Sequence, residues 1–154
     1  MTRIVQEIEV ASRPRDVFRL CHDAERRPEW DGRVARVKVL TPKPIRSGTV
    51  IRVDTQPATG GVIFSWEGEV LEYTYGSRSR LEVIDAAPSS YFASGSEMWE
   101  IQRTGEGVRV VFTWEYAPRG ILGRIADALV RRRQIRQAIA QSLETLKQTA
   151  EAES

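Results

Sequence analysis

The chain has 154 residues, 41% hydrophobic and 29% charged. That composition supports a buried core rather than disorder, and the length suits a single domain over 1–154. Its 23 basic and 21 acidic side chains leave a formal net charge of only +2, too weak a field to point to nucleic acid or a membrane.

Ile4–Val10 alternates Ile4, Gln6, Ile8, Val10 against Val5, Glu7, Glu9, the period of a strand with one wet face. Ser12-Arg13-Pro14 then starts a short helix with Val17, Leu20, Cys21 and Ala24 on one side. The charged stretch Asp23 to Arg27 and Pro28 ends it, and Pro28-Glu29-Trp30-Asp31-Gly32 forms a turn or a second short helix. From Val34 the period is 2, giving strands over Val34–Leu40, Thr49–Gln56, Val62–Tyr73, Ser79–Asp85, Tyr91–Gln102 and Val108–Tyr116. Turn clusters between them, among them Pro57-Ala58-Thr59-Gly60-Gly61, are too short for parallel crossovers and require an antiparallel meander. After Pro118-Arg119-Gly120 the period becomes 3.6. Ile121, Ile125, Ala128, Ile135, Ile139 and Leu146, flanked by Leu122, Leu129 and Leu143, predict an apolar stripe, interrupted by Arg132, on a helix from about Ile121 to Ala150. The meander must cover that stripe, which makes the fold class α+β.

This order resembles the START/Bet v 1-like (SRPBCC) superfamily, in particular its polyketide cyclase/dehydrase and lipid-transport group. Three stretches carry the resemblance. They are Ile8-Glu9-Val10-Ala11-Ser12-Arg13-Pro14-Arg15-Asp16-Val17-Phe18, then Asp23 with Pro28-Glu29-Trp30, and Gly107-Val108-Arg109-Val110-Val111-Phe112 leading to a terminal helix ending Leu143-Glu144-Thr145-Leu146-Lys147. The resemblance implies a helix-grip fold: a seven-stranded curved antiparallel sheet around a long C-terminal helix, with two short helices after the first strand. It also implies an apolar cavity between sheet and C-terminal helix that holds a small hydrophobic molecule. Some members of the superfamily cyclise or dehydrate their ligand there, others only bind or carry it, and some relatives act as interaction modules.

The residues add their own argument. Signatures of nucleotide loops, nucleophile elbows and metal ligands are missing, so no cofactor or metal is expected. Cys21 stands alone, which excludes an internal disulfide and a multi-cysteine zinc site. Adjacent His22, the only histidine, is expected at the surface or at the helix end. Strand parity gathers Phe64, Trp66, Tyr91, Trp99, Phe112, Trp114 and Tyr116 on an inner face. With Trp30, Ile125, Leu129 and Arg132, these are the candidate ligand-binding residues. Two readings stand for Glu97, whose parity puts a carboxylate among aromatics: a general acid/base, or a residue turned outward by a bulge or paired with an arginine. Arg132 is either a snorkelling surface residue or the partner of a ligand carboxylate or of Glu97. Binding of a lipid or polyketide-like molecule is the leading expectation, and acid–base catalysis by a cyclase or dehydratase is the alternative. With neither a secretory h-region nor ~18 consecutive apolar residues, the expected place is the cytoplasm, as monomer or homodimer with at most transient membrane contact.

Overall fold

A computed structural model of the chain describes residues 1–57 and 63–154. Strand β1 (Thr2–Val10) is followed by two short helices, α1 (Pro14–His22) and α2 (Arg27–Trp30). Then come β2 (Val34–Val39), β3 (Val50–Thr55), β4 (Ser65–Thr74), β5 (Arg78–Ala86), β6 (Phe92–Arg103) and β7 (Val108–Pro118). The chain closes with α3 (Gly120–Ala126), a π-turn (Asp127–Arg131) and α4 (Arg132–Ala152), which run on as a single helix of 33 residues. The expected strand Val62–Tyr73 is seen from Ser65. Val62 and the turn residues Ala58 to Gly61 lie outside the described residues.

The strands form one antiparallel sheet in the order β1-β7-β6-β5-β4-β3-β2, curled around the long helix in a helix-grip fold. The first strand pairs with the last, from Thr2 opposite Tyr116 to Val10 opposite Val108. Period-2 patterning explains which side is dry. Val108, Val110, Phe112, Trp114 and Tyr116 are all buried, whereas their odd-numbered neighbours other than Thr113 reach the surface.

On β6 the inner parity holds for Gly95, Glu97, Trp99 and Ile101, but a register shift between Phe92 and Ser94 breaks it upstream. The bulge turns Phe92 into the core and Ala93 out to solvent, a change of face that alternation alone does not signal. Gly95 is required where it stands: a Cβ there would lie 2.8 Å from the Trp114 ring and 2.9 Å from the Glu115 carbonyl oxygen.

The helix departs from the expected buried stripe. Ile135, Ile139, Leu143, Leu146 and Ala150 are buried, α4 packing on β1 and the short helices, but Ile121, Leu122, Ile125 and Leu129 are exposed. The π-turn accounts for the reversal. It takes up one extra residue, worth up to ~100° of helical rotation, so apolar positions before and after it no longer share a side. Asp127 is turned inward instead. Fully buried, it accepts hydrogen bonds from Thr2 Oγ1 at 2.7 Å and from the Tyr116 hydroxyl.

Candidate functional site

Between the two short helices and strands β2–β7 lie two small cavities. One, of ≈ 50 Å³, is bordered by Cys21, His22, Val70, Ser79 and Trp99 among others. The second, of ≈ 30 Å³, is bordered by Arg33, Phe64, Trp66, Tyr91 and Trp114 among others. Arg27, Ile51, Leu81 and Glu97 border both. Neither cavity has a wall from the long helix, contrary to the expected placement. The reason is packing: Ile4, Phe112, Tyr116, Ile135 and Ile139 are essentially fully buried and fill the space under the helix.

The sequence-derived candidates sort accordingly. Phe64, Trp66, Tyr91, Glu97, Trp99 and Trp114 border the cavities. Trp30 and Phe112 stand behind them, their rings 5.7 and 4.4 Å from that of Trp99. Tyr116 is committed to Asp127. Ile125 and Leu129 are on the outer surface, carried there by the π-turn. Arg132 is also at the surface and bonds Asp127 Oδ2 at 3.3 Å rather than Glu97.

Glu97 is paired with Arg27, a residue the sequence placed in a helix-ending charge run. Arg27 Nη2 donates to Glu97 Oε1 at 3.1 Å, and Trp99 Nε1 donates to the same oxygen at 3.0 Å. Arg27 Nε donates to Asp31 Oδ2 at 2.8 Å, and Arg33 adds bonds to both Asp31 oxygens at 3.0–3.1 Å. The guanidinium of Arg27 also lies 5.0 Å from the Trp30 ring and 5.6 Å from that of Trp99. Burial opposes ionisation of Asp31, but the Arg33 and Arg27 charges outweigh it and hold its carboxyl well below the usual range. The signal was present in the sequence: Arg27 and Asp31 are one helical turn apart, on either side of Trp30.

His22 ends α1, one of the two places expected for it, but it is turned inward: it borders the larger cavity and is only partly exposed. Its Nδ1 lies 2.8 Å from the Phe18 carbonyl oxygen, which can only accept, so Nδ1 carries the proton. Nε2 is then an acceptor for the Ser79 hydroxyl at 2.6 Å. Burial, reinforced by Arg27 nearby, pushes the imidazole pKa down to about 4, while burial pushes the Cys21 thiol up to about 12. The folded protein thus binds the His22 proton less readily than the unfolded chain. The stability that depends on neutral His22 is fully present above about pH 6.5 and is lost as pH falls toward 4, at no more than about 1.4 kcal/mol per pH unit. Urea unfolding at pH 7, 6 and 5 is expected to show this decline, and His22→Gln to flatten it. An equal decline in the variant would assign it to other groups.

A curled sheet gripping a long helix, with an apolar interior around a buried ion pair, defines a protein of the helix-grip class. The chain belongs to the family described as polyketide cyclase/dehydrase and lipid transport, whose profile matches residues 1–151. No functionally curated protein matches the sequence. Among solved structures, a Thermus thermophilus protein is 23% identical with a TM-score of 0.82, each chain covered to 99%. The Zhui aromatase/cyclase from Streptomyces is 15% identical over 98% of this chain and 97% of that one, TM-score 0.72. The di-domain aromatase/cyclase StfQ of the steffimycin biosynthetic pathway is 16% identical, TM-score 0.76, with 98% of this chain matching 51% of that one. These likenesses establish the shared fold. No described helix is long and apolar enough to cross a membrane.

Proposed function

We propose that the chain binds a small, mostly apolar and uncharged molecule, lipid or polyketide-like, in the space the two cavities adjoin. The observation that carries this reading is the Arg27–Glu97 pair on the wall common to both. Arg27, Arg33, Asp31 and Glu97 sum to no net charge, so a charged ligand finds no compensating partner. Both described bonds to Glu97 go to Oε1, and among the described residues nothing donates to Oε2. A ligand hydroxyl or enol is suited to that oxygen, with Trp66, Trp99, Trp114 and Leu81 covering its apolar part.

The volumes of ≈ 50 and ≈ 30 Å³ suit a few water molecules, far below the roughly 300 Å³ or more of a ligand pocket. Binding therefore requires side chains between the short helices and the sheet to part. Titration of tryptophan fluorescence with a long-chain alcohol and the fatty acid of equal length is the direct test. The alcohol is expected to bind at least about tenfold more tightly at pH 7.5, since the acid must bring an unpaired charge inside. Leu81→Trp, which fills both cavities, should abolish the response while leaving a folded circular dichroism spectrum. No response to any neutral apolar compound would overturn the reading.

A second reading has its own observation: His22 Nε2 and Glu97 border the same cavity, and the family includes cyclases and dehydratases in its description. In that reading Glu97 moves a proton for the bound substrate. The same titration with Glu97→Gln separates the two. A proton-transfer role leaves affinity within a few-fold and removes turnover, whereas a carrier shows altered affinity and no turnover in either form.

A further inference from the structure

Five of the chain's exposed large apolar residues fall within ten positions of one helical segment: Ile121, Leu122, Ile125, Leu129 and Val130. The first four are 76, 83, 52 and 76% exposed, values a buried stripe would never show. The other exposed large apolar side chains among the described residues are spread over several strands and connections, such as Val5, Leu71 and Ile84 on strands and Leu40 and Tyr75 between them. The cluster is no accident of fraying. Asp127 is anchored inward by Thr2 and Tyr116, and Ile121, Ile125 and Leu129 lie roughly half a turn away from it. The anchor therefore points them at solvent.

Charge surrounds this apolar face, and it is of one sign. From Tyr116 to Leu143 there are six arginines and a single acidic residue, Asp127, a formal +5. The whole chain carries +2, so everything outside this segment sums to −3. Asp127 is itself buried and bonded, leaving the exposed Arg124, Arg133 and Arg136 around the stripe without a described acidic partner. An apolar stripe on a helix with arginines beside it is the arrangement of an interfacial helix lying in the plane of a membrane. Continuity with the interior adds to the case. The Arg131 guanidinium lies 5.6 Å from the Tyr91 ring, and Tyr91 borders the smaller cavity. The turn that presents the stripe therefore touches a residue of the cavity wall, though it lines neither cavity itself.

We propose that α3 and the π-turn dock the protein on an anionic lipid surface, with Ile121, Leu122, Ile125 and Leu129 inserted and the arginines on the headgroups. The proposal holds whether or not the interior binds a ligand. Flotation with vesicles of phosphatidylcholine alone, and with about 30% phosphatidylserine added, tests it on the full chain. Binding is expected to the mixed vesicles and to weaken in high salt, since basic residues near an anionic surface act through a screened attraction. Ile125→Asp combined with Leu129→Asp should lower the affinity by roughly tenfold or more. Both positions are exposed, so the urea midpoint should hold within error. Arg133→Glu with Arg136→Glu should remove the preference for the mixed vesicles. Absence of binding to mixed vesicles at low salt overturns the proposal. So does a dimer in sedimentation velocity that the Asp variant dissociates while vesicle binding is unchanged, because the stripe is then the seat of a second copy.

Discussion

Replacing Arg27 with methionine is expected to lower folding stability by about 3–5 kcal/mol, the range for removing one partner of a buried ion pair. Arg27 is 8% exposed, Asp31 0% and Glu97 4%, so solvent screens none of these charges appreciably. Asp31 keeps its bonds from Arg33 and from the Ser142 hydroxyl at 3.2 Å. Among the described residues, Glu97 keeps only the Trp99 indole N–H. Most of the loss therefore falls on Glu97, whose carboxylate is left without a bonded cation, the nearby Arg33 being paired with Asp31. The control is Arg27→Met with Glu97→Gln, which removes both charges of the pair and keeps an acceptor for Trp99. It should recover more than half of the lost stability, because a buried pair replaced as a unit is often nearly neutral. Urea unfolding monitored by far-UV circular dichroism gives both numbers. A single variant within about 1 kcal/mol of the parent would show that the cluster tolerates an unpaired carboxylate and that water reaches it.

The fold was legible because its signals are periodic. Val108 to Tyr116 displays its dry face by alternation, and the short turns leave a meander as the way to join such strands. What escaped was each place where the period slips. The bulge at Phe92–Ser94 exchanges which residues face inward, and the π-turn at Asp127–Arg131 moves an apolar stripe from core to solvent. Both depend on tertiary contacts that hold the irregular residue: Phe92 against Trp66 and Trp114, Asp127 against Thr2 and Tyr116. The candidate site was half legible for a related reason. Aromatic parity gathered Trp66, Trp99 and Trp114, but a charged run reads as a wet surface by default, and so Arg27 was passed over. A carboxylate on an apolar strand face demands a cation from somewhere, and Arg27 and Asp31 straddling Trp30 could have supplied the answer.

Truncating Trp99 to alanine is expected to cost about 3–5 kcal/mol, the usual range for emptying a buried aromatic site. The ring is 3% exposed and sits among Trp30, Phe112, His22 and the Arg27 guanidinium. Its loss withdraws packing on several sides and one hydrogen bond to Glu97. The variant also makes a specific chemical prediction, because Trp99 borders the ≈ 50 Å³ cavity. Deleting the indole joins its volume to that space, giving a cavity on the order of 150 Å³, large enough for a small aromatic molecule. Free indole should then bind where the side chain was, its N–H directed at Glu97 Oε1, and raise the melting temperature of the variant but not of the parent. At a concentration 100 times its dissociation constant it should restore about 2.7 kcal/mol. Benzene, which fills the space without an N–H, should restore less, and the difference between the two reports how strongly Glu97 reads a donor in the ligand. If neither compound stabilises the variant, the neighbouring side chains have collapsed into the gap, and the interior beside Glu97 cannot be the ligand space argued for above.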